Sequence, residues 1–64
     1  MANWRERAAA ALDATHALGE RGPRTFLARE LVANWLDGGR HWSGRVATAV
    51  RWLERVARLP NVGS

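Results

Sequence analysis

The strongest helical pattern in this sequence is SGRVATAVRWLERVARL, at residues 43–59. Its apolar residues recur at i, i+3, i+4 and i+7 and mark one face that a helix can bury: Val46, Ala49, Val50 and Leu53. The opposite face carries Thr48, Arg51, Arg55 and Arg58, with Arg45 and Trp52 on one flank. Ser43 is a good N-cap. The stretch therefore predicts a third helix over about residues 43–59, with an apolar inner face and a basic outer one.

A first helix is predicted over about residues 3–18. Asn3 can cap it, and Glu6, three positions on, can complete a capping box. Several alanines favour helix, and larger side chains recur on one face. That face consists of Trp4, Ala8, Ala11, Leu12 and Thr15. The Gly-Pro pair at residues 22–23 prevents this helix from continuing.

A second helix is predicted over about residues 25–36, with Thr25 as its cap. Its apolar stripe consists of Leu27, Ala28, Leu31, Val32 and Trp35. Two glycines, at residues 38–39, end this helix, and Pro60 ends the third. No strand pattern interrupts the chain, and the connections are short. The sequence therefore predicts an all-α, compact three-helix bundle that forms a single domain over residues 1–64.

The charge of the chain is unevenly distributed. Ten arginines and six acids give a net charge of +4, and there is no lysine. Residues 1–37 contain five arginines and five acids, whereas residues 38–64 contain five arginines and Glu54 as their one acid. The whole net charge therefore lies in the C-terminal part, which favours an anionic partner.

Composition also argues against several classes of function. There is no cysteine, and the two histidines have no third ligand at metal spacing, so we expect no metal and no cofactor. No nucleophile and base stand at a recognisable spacing, and 64 residues are too few to enclose a substrate pocket. We therefore expect no enzyme and no small-molecule substrate. A polar N-terminus and the short longest apolar run, residues 8–12, predict a cytoplasmic protein without membrane contact.

The order of the second and third helices resembles a known DNA-binding arrangement. RTFLARELVA, at residues 24–33, is followed by a glycine turn and by the third-helix stretch. This order resembles the helix-turn-helix, most closely the winged-helix domains of prokaryotic regulators, over residues 24–59. The turn is longer than that of a strict helix-turn-helix. Only five residues follow Leu59, too few for a two-stranded wing, so we expect the wing to be missing.

The resemblance implies a bundle of helix-turn-helix type whose third helix lies in the major groove. It places Ser43, Arg45 and Thr48 nearest the bases, because the start of that helix approaches the base edges, with Arg51 next along it. The remaining candidates, Arg40, His41, Arg55 and Arg58, extend the basic surface, where Arg40, His41 and Arg55 would meet phosphates.

The leading hypothesis is therefore duplex DNA binding, sequence-specific or general, by a small transcriptional regulator or a plasmid or virus accessory protein. A homodimer on two half-sites would raise the affinity of so small a module. The alternative is a protein-interaction module that dimerises or docks a partner through exposed tryptophans. RNA binding is a third hypothesis, and an arginine face that is merely solvated is the simplest one.

Overall fold

The computed structural model describes residues 3–18, 22–39 and 41–58. These residues form three helices and no strand: α1 (Trp4–Leu18), α2 (Pro23–Leu36) and α3 (Gly44–Ala57). α3 packs extensively against both other helices, and α1 and α2 touch each other less. The predicted all-α three-helix bundle is confirmed. None of the helices in the described part is long and apolar enough to cross a bilayer.

α1 begins as the sequence predicts. The Asn3 side chain accepts hydrogen bonds through Oδ1 from the backbone N–H groups of Arg5, at 3.0 Å, and Glu6, at 3.3 Å. The first N–H groups of a helix have no partner within the helix, and this cap satisfies two of them. Asn3 is thus confirmed as the N-cap of α1.

α2 begins two residues earlier than predicted, and the assignment of Thr25 as its cap is wrong. Pro23 is the first helical residue, and Gly22 precedes it with φ +97°. Proline suits this position because its φ is already helical and its missing N–H would have had no partner there. Thr25 consequently lies inside the first turn and is buried, with an exposed fraction of 2%.

α2 ends at the predicted glycine pair. Gly38 adopts φ +81°, in the left-handed region, and its N–H donates to the Trp35 carbonyl at 3.0 Å. The N–H of Gly39 donates to the Asn34 carbonyl at 2.8 Å. This pair of bonds is a Schellman motif, which satisfies carbonyls at the end of the helix. The prediction that glycines stop α2 is confirmed.

α3 begins where predicted and ends slightly earlier. Ser43 occupies the N-cap position with extended backbone, although its hydroxyl makes no capping hydrogen bond. The helix ends at Ala57 because Arg58 turns left-handed, with φ 58° and its N–H bonded to the Arg55 carbonyl. The predicted end at Leu59 is therefore too late, and the predicted stop at Pro60 lies outside the described residues.

The core is made of small side chains. Its fully buried members are Ala8, Ala11, Val32, Val46, Val50 and Leu53, with Ala28 and Ala49 nearly so. Trp4, Trp35 and Trp52 are half-buried around this cluster and extend it. Leu27, predicted in the apolar stripe of α2, is instead 63% exposed. The stripe of α2 is thus wider than the area that α1 and α3 cover.

Candidate nucleic-acid interface

The outer face of α3 is basic along its whole length. The predicted residues Arg45, Thr48, Arg51 and Arg55 are all exposed on it. The inner face of the same helix is closed by the core. The structure thus separates the two faces of α3 as the sequence pattern predicts, and the candidate side chains of the helix share one surface.

The acid of α3 points inward. The Glu54 carboxylate accepts two hydrogen bonds from the Arg7 guanidinium, at 2.9 Å from Nε and 2.7 Å from Nη2. The side chains of Arg7 and Glu54 are only 10% and 6% exposed. The hydrogen bond to Glu54 raises the pKa of Arg7 above its ordinary value. Glu54 is therefore neutralised by α1 and leaves the outer face of α3 without a carboxylate.

Arg51 is held by an aromatic ring while remaining exposed. Its guanidinium lies over the ring of Trp4, 5.4 Å from the centroid, and Arg7 lies over the same ring at 4.1 Å. Stacking of this kind restrains the long side chain. A stacked guanidinium still presents N–H donors at its edges, which suit bidentate contact with a phosphate or a base. Trp4 thus restrains the Arg51 side chain on the outer face of α3.

Three of the candidates line one shallow depression. Thr48, Arg51 and Arg55 enclose it together with Trp52, and its volume is about 260 Å³. Two guanidinium groups and a hydroxyl beside an indole make a donor-rich surface. The structure therefore brings these three predicted residues together.

The other candidates lie at the margins of this surface. His41 and Ser43 are exposed in the segment that leads into α3, but neither lines the depression. Arg58 is exposed beyond the end of the helix. Arg40 lies outside the described residues. Arg45, one turn before Thr48, lines a larger groove between α2 and α3.

Arg24 is a basic residue that sequence reasoning missed. It is exposed in the first turn of α2 and lines the same groove as Arg45. Its guanidinium lies 5.1 Å from the centroid of Trp52, whose indole Nε1 donates to the Thr25 hydroxyl at 3.3 Å. The early start of α2 at Pro23 brings Arg24 into the helix, and the interpretation of Thr25 as the cap concealed this.

Three of the four tryptophans, Trp4, Trp35 and Trp42, form an aromatic cluster. The ring of Trp42 lies 5.1 Å from that of Trp4 and 5.0 Å from that of Trp35, both in tilted arrangements. Trp42 is the most exposed of the four described tryptophans, at 44%, and the others are half-buried. A docking surface made of exposed tryptophans, the alternative raised above, would thus rest mainly on Trp42.

Comparisons of the chain with protein-family models, with curated proteins and with solved structures gave no match. In the part of the chain that the structure describes, no three His, Asp or Glu side chains group closely enough to hold a metal ion.

Proposed function

We propose that this chain binds duplex DNA through the outer face of α3. The observation that carries the proposal is the inward orientation of Glu54, paired with Arg7. Because of it, Arg45, Arg51 and Arg55 stand on the exposed face with no carboxylate from α3 among them. A cluster of arginines on one helix face is the electrostatic feature expected of a phosphate-binding surface.

The shape of the surface supports the same proposal. α3 has 14 residues and is about 21 Å long, and the major groove is wide enough to admit one helix. The start of α3 carries Arg45 and Thr48, which can reach base edges, with Arg51 next along the helix and Arg55 toward the phosphates. Such a protein would work at the nucleoid, as a small transcriptional regulator or an accessory protein.

The test is a titration of a fluorescent random-sequence duplex of about 30 base pairs, followed by anisotropy at several salt concentrations. We expect binding in the micromolar range at about 50 mM salt, falling steeply as salt rises. The double variant Arg51→Ala/Arg55→Ala should bind at least about tenfold more weakly. Its plot of log K against log salt should be shallower by about two units, one for each lost cationic side chain.

A charge-matched control separates this surface from a general effect of net charge. Ala9→Glu/Asn34→Glu places two acids at exposed positions of α1 and α2 and lowers the net charge from +4 to +2, as the arginine double variant does. It should keep the salt slope of the parent. Circular dichroism should show all three proteins folded. Absence of binding at about 50 mM salt, or equal losses in the two double variants, would exclude α3 as the nucleic-acid surface.

A further inference from the structure

In the described part of the molecule, a groove with a volume of about 640 Å³ runs between α2 and α3. Its walls are mostly apolar, and they include Leu27, Leu31 and Trp52. Leu27 is 63% exposed there, although single exposed leucines are common on protein surfaces. Here the exposed side chain is continuous with two half-buried apolar ones, and such a continuous patch marks an interaction surface more often than a lone residue does.

Both walls of this groove have helical spacing. On α2 the lining residues recur at i, i+3, i+4 and i+7 counted from Arg24, and on α3 they recur at the same spacing counted from Arg45. Two such rows form ridges with a furrow between them, and the side chains of another helix pack into such a furrow. The groove is open to solvent along one side, so it suits side chains that enter from outside better than an enclosed small molecule.

Among the described residues, the charged ones that line the groove are both arginines, Arg24 and Arg45, and none is an acid. Arg24 lies over Trp52, and Arg45 stands two turns earlier on α3, about 10 Å away along the helix axis. A second copy of this chain would bring the same two arginines against them in a two-fold contact, which is repulsive. A helix with acidic flanks would pair with both.

We propose that the groove between α2 and α3 binds an acidic amphipathic helix of a partner protein. Its apolar residues, at i, i+3, i+4 and i+7, pack on Leu27, Leu31 and Trp52. Asp or Glu residues on its flanks pair with Arg24 and Arg45. Arg45 and Thr48 line the groove and also belong to the proposed DNA surface, so the partner helix and DNA compete for them, whereas Arg51 and Arg55 do not line the groove.

The experiment uses a defined probe, a fluorescein-labelled alanine-based peptide of 14 residues, the length of α2 and of α3. It carries leucines at i, i+3, i+4 and i+7 and glutamates on both flanks. Titration with the full chain should give saturable anisotropy with a Kd of about 10–100 µM. The same peptide with lysine in place of each glutamate should not bind, because the like charges repel.

Two matched protein variants locate the binding. Leu27→Glu places a charge in the groove and should raise the Kd at least about tenfold. Phe26→Glu makes the same kind of change at the neighbouring residue, which is 50% exposed but lines a different depression, and should leave the Kd within about twofold. Arg51→Ala/Arg55→Ala should also retain the peptide, so that loss of DNA binding and loss of peptide binding are distinguishable.

Three outcomes would overturn the proposal. The first is that the acidic peptide fails to bind at protein concentrations up to about 1 mM. The second is that the lysine peptide binds as tightly as the glutamate peptide. The third is that sedimentation shows a dimer of the parent protein that Leu27→Glu dissociates, which would assign the groove to a second copy of this chain. Selective binding of the glutamate peptide with loss in Leu27→Glu alone supports it.

Discussion

α3 has a neighbour on each side, and the two interfaces are built differently. Toward α1 the interface is closed by the buried Arg7–Glu54 pair and by Trp4, whose ring lies under Arg7 and Arg51. Toward α2 the two helices also pack closely, but the interface opens at its edge into the groove where Leu27 is mostly exposed. The α1 side of α3 is thus covered by contacts within the chain, whereas the α2 side leaves apolar surface in contact with water.

The difference shows how a short chain can divide stability and binding between surfaces. The core consists largely of alanine and valine, so it buries little area per residue. The ion pair and the ring stacking on the α1 side add contacts that the core lacks. Exposed apolar surface on the α2 side adds little to folding, and it is available to a ligand.

The largest expected effect on stability is at the interface between α1 and α3. Glu54→Ala leaves the Arg7 guanidinium largely buried without its carboxylate, so we expect the free energy of unfolding to fall by about 3 kcal/mol or more. Urea unfolding followed by far-UV circular dichroism measures this loss. Glu30→Ala removes an exposed acid from α2 and should change stability by less than about 0.5 kcal/mol. A loss below about 1 kcal/mol for Glu54→Ala would contradict the stabilising role of the pair.

The same pair allows a sharper test. Replacement of both partners by apolar residues of similar size, Arg7→Met/Glu54→Leu, removes both buried charges and should restore most of the stability lost in Glu54→Ala. Comparison of the two urea midpoints measures the recovery. If the double variant is as unstable as the single one, packing around Trp4 rather than charge burial determines the stability of this side.

A smaller effect on stability is expected for the hydrogen bond between Trp52 and Thr25, on the α2 side of α3. Thr25→Val removes the acceptor for the Trp52 indole N–H while nearly preserving shape, and should cost about 1 kcal/mol. In a domain of this size, thermal unfolding should register that loss as a fall in Tm of about 4–8 °C. Thr48→Val, the same substitution at an exposed position of α3, should leave Tm almost unchanged. Equal shifts in Tm for both variants would show that this hydrogen bond does not contribute to stability.

The smallest effect is expected in the groove itself. Leu27→Ala should change the free energy of unfolding by less than about 0.5 kcal/mol, because the side chain is already mostly in water. Leu53→Ala, the same truncation in the core, should cost about 2–5 kcal/mol. Chemical denaturation of both variants measures the contrast. A large loss for Leu27→Ala would mean that the groove is closed in solution.

Much of this architecture could be predicted from the sequence because helical periodicity is local. The apolar face of α3 and its basic face follow from spacing alone, and the cap at Asn3 follows from residue type. The pairing of Arg7 with Glu54 could not be predicted, because the two residues are far apart in the chain and no local pattern links them.

The errors in α2 have related causes. Both a proline and a threonine could begin the helix, and only the folded chain shows that Pro23 does so. The exposure of Leu27 depends on how much of the stripe the neighbouring helices cover. That coverage depends on how α1 and α3 pack against α2, and the periodicity of α2 alone does not indicate it.

The contacts of Trp42 with Trp4 and Trp35 join the start of α1, the end of α2 and the segment that leads into α3. Indole rings packed about 5 Å apart give near-ultraviolet circular dichroism only while that tertiary packing persists, so the native chain contains its own reporter of helix docking. Loss of this signal before the far-ultraviolet helix signal would reveal helices that persist after they separate. Coincidence of the two transitions would show cooperative, two-state unfolding in a chain with so small a core.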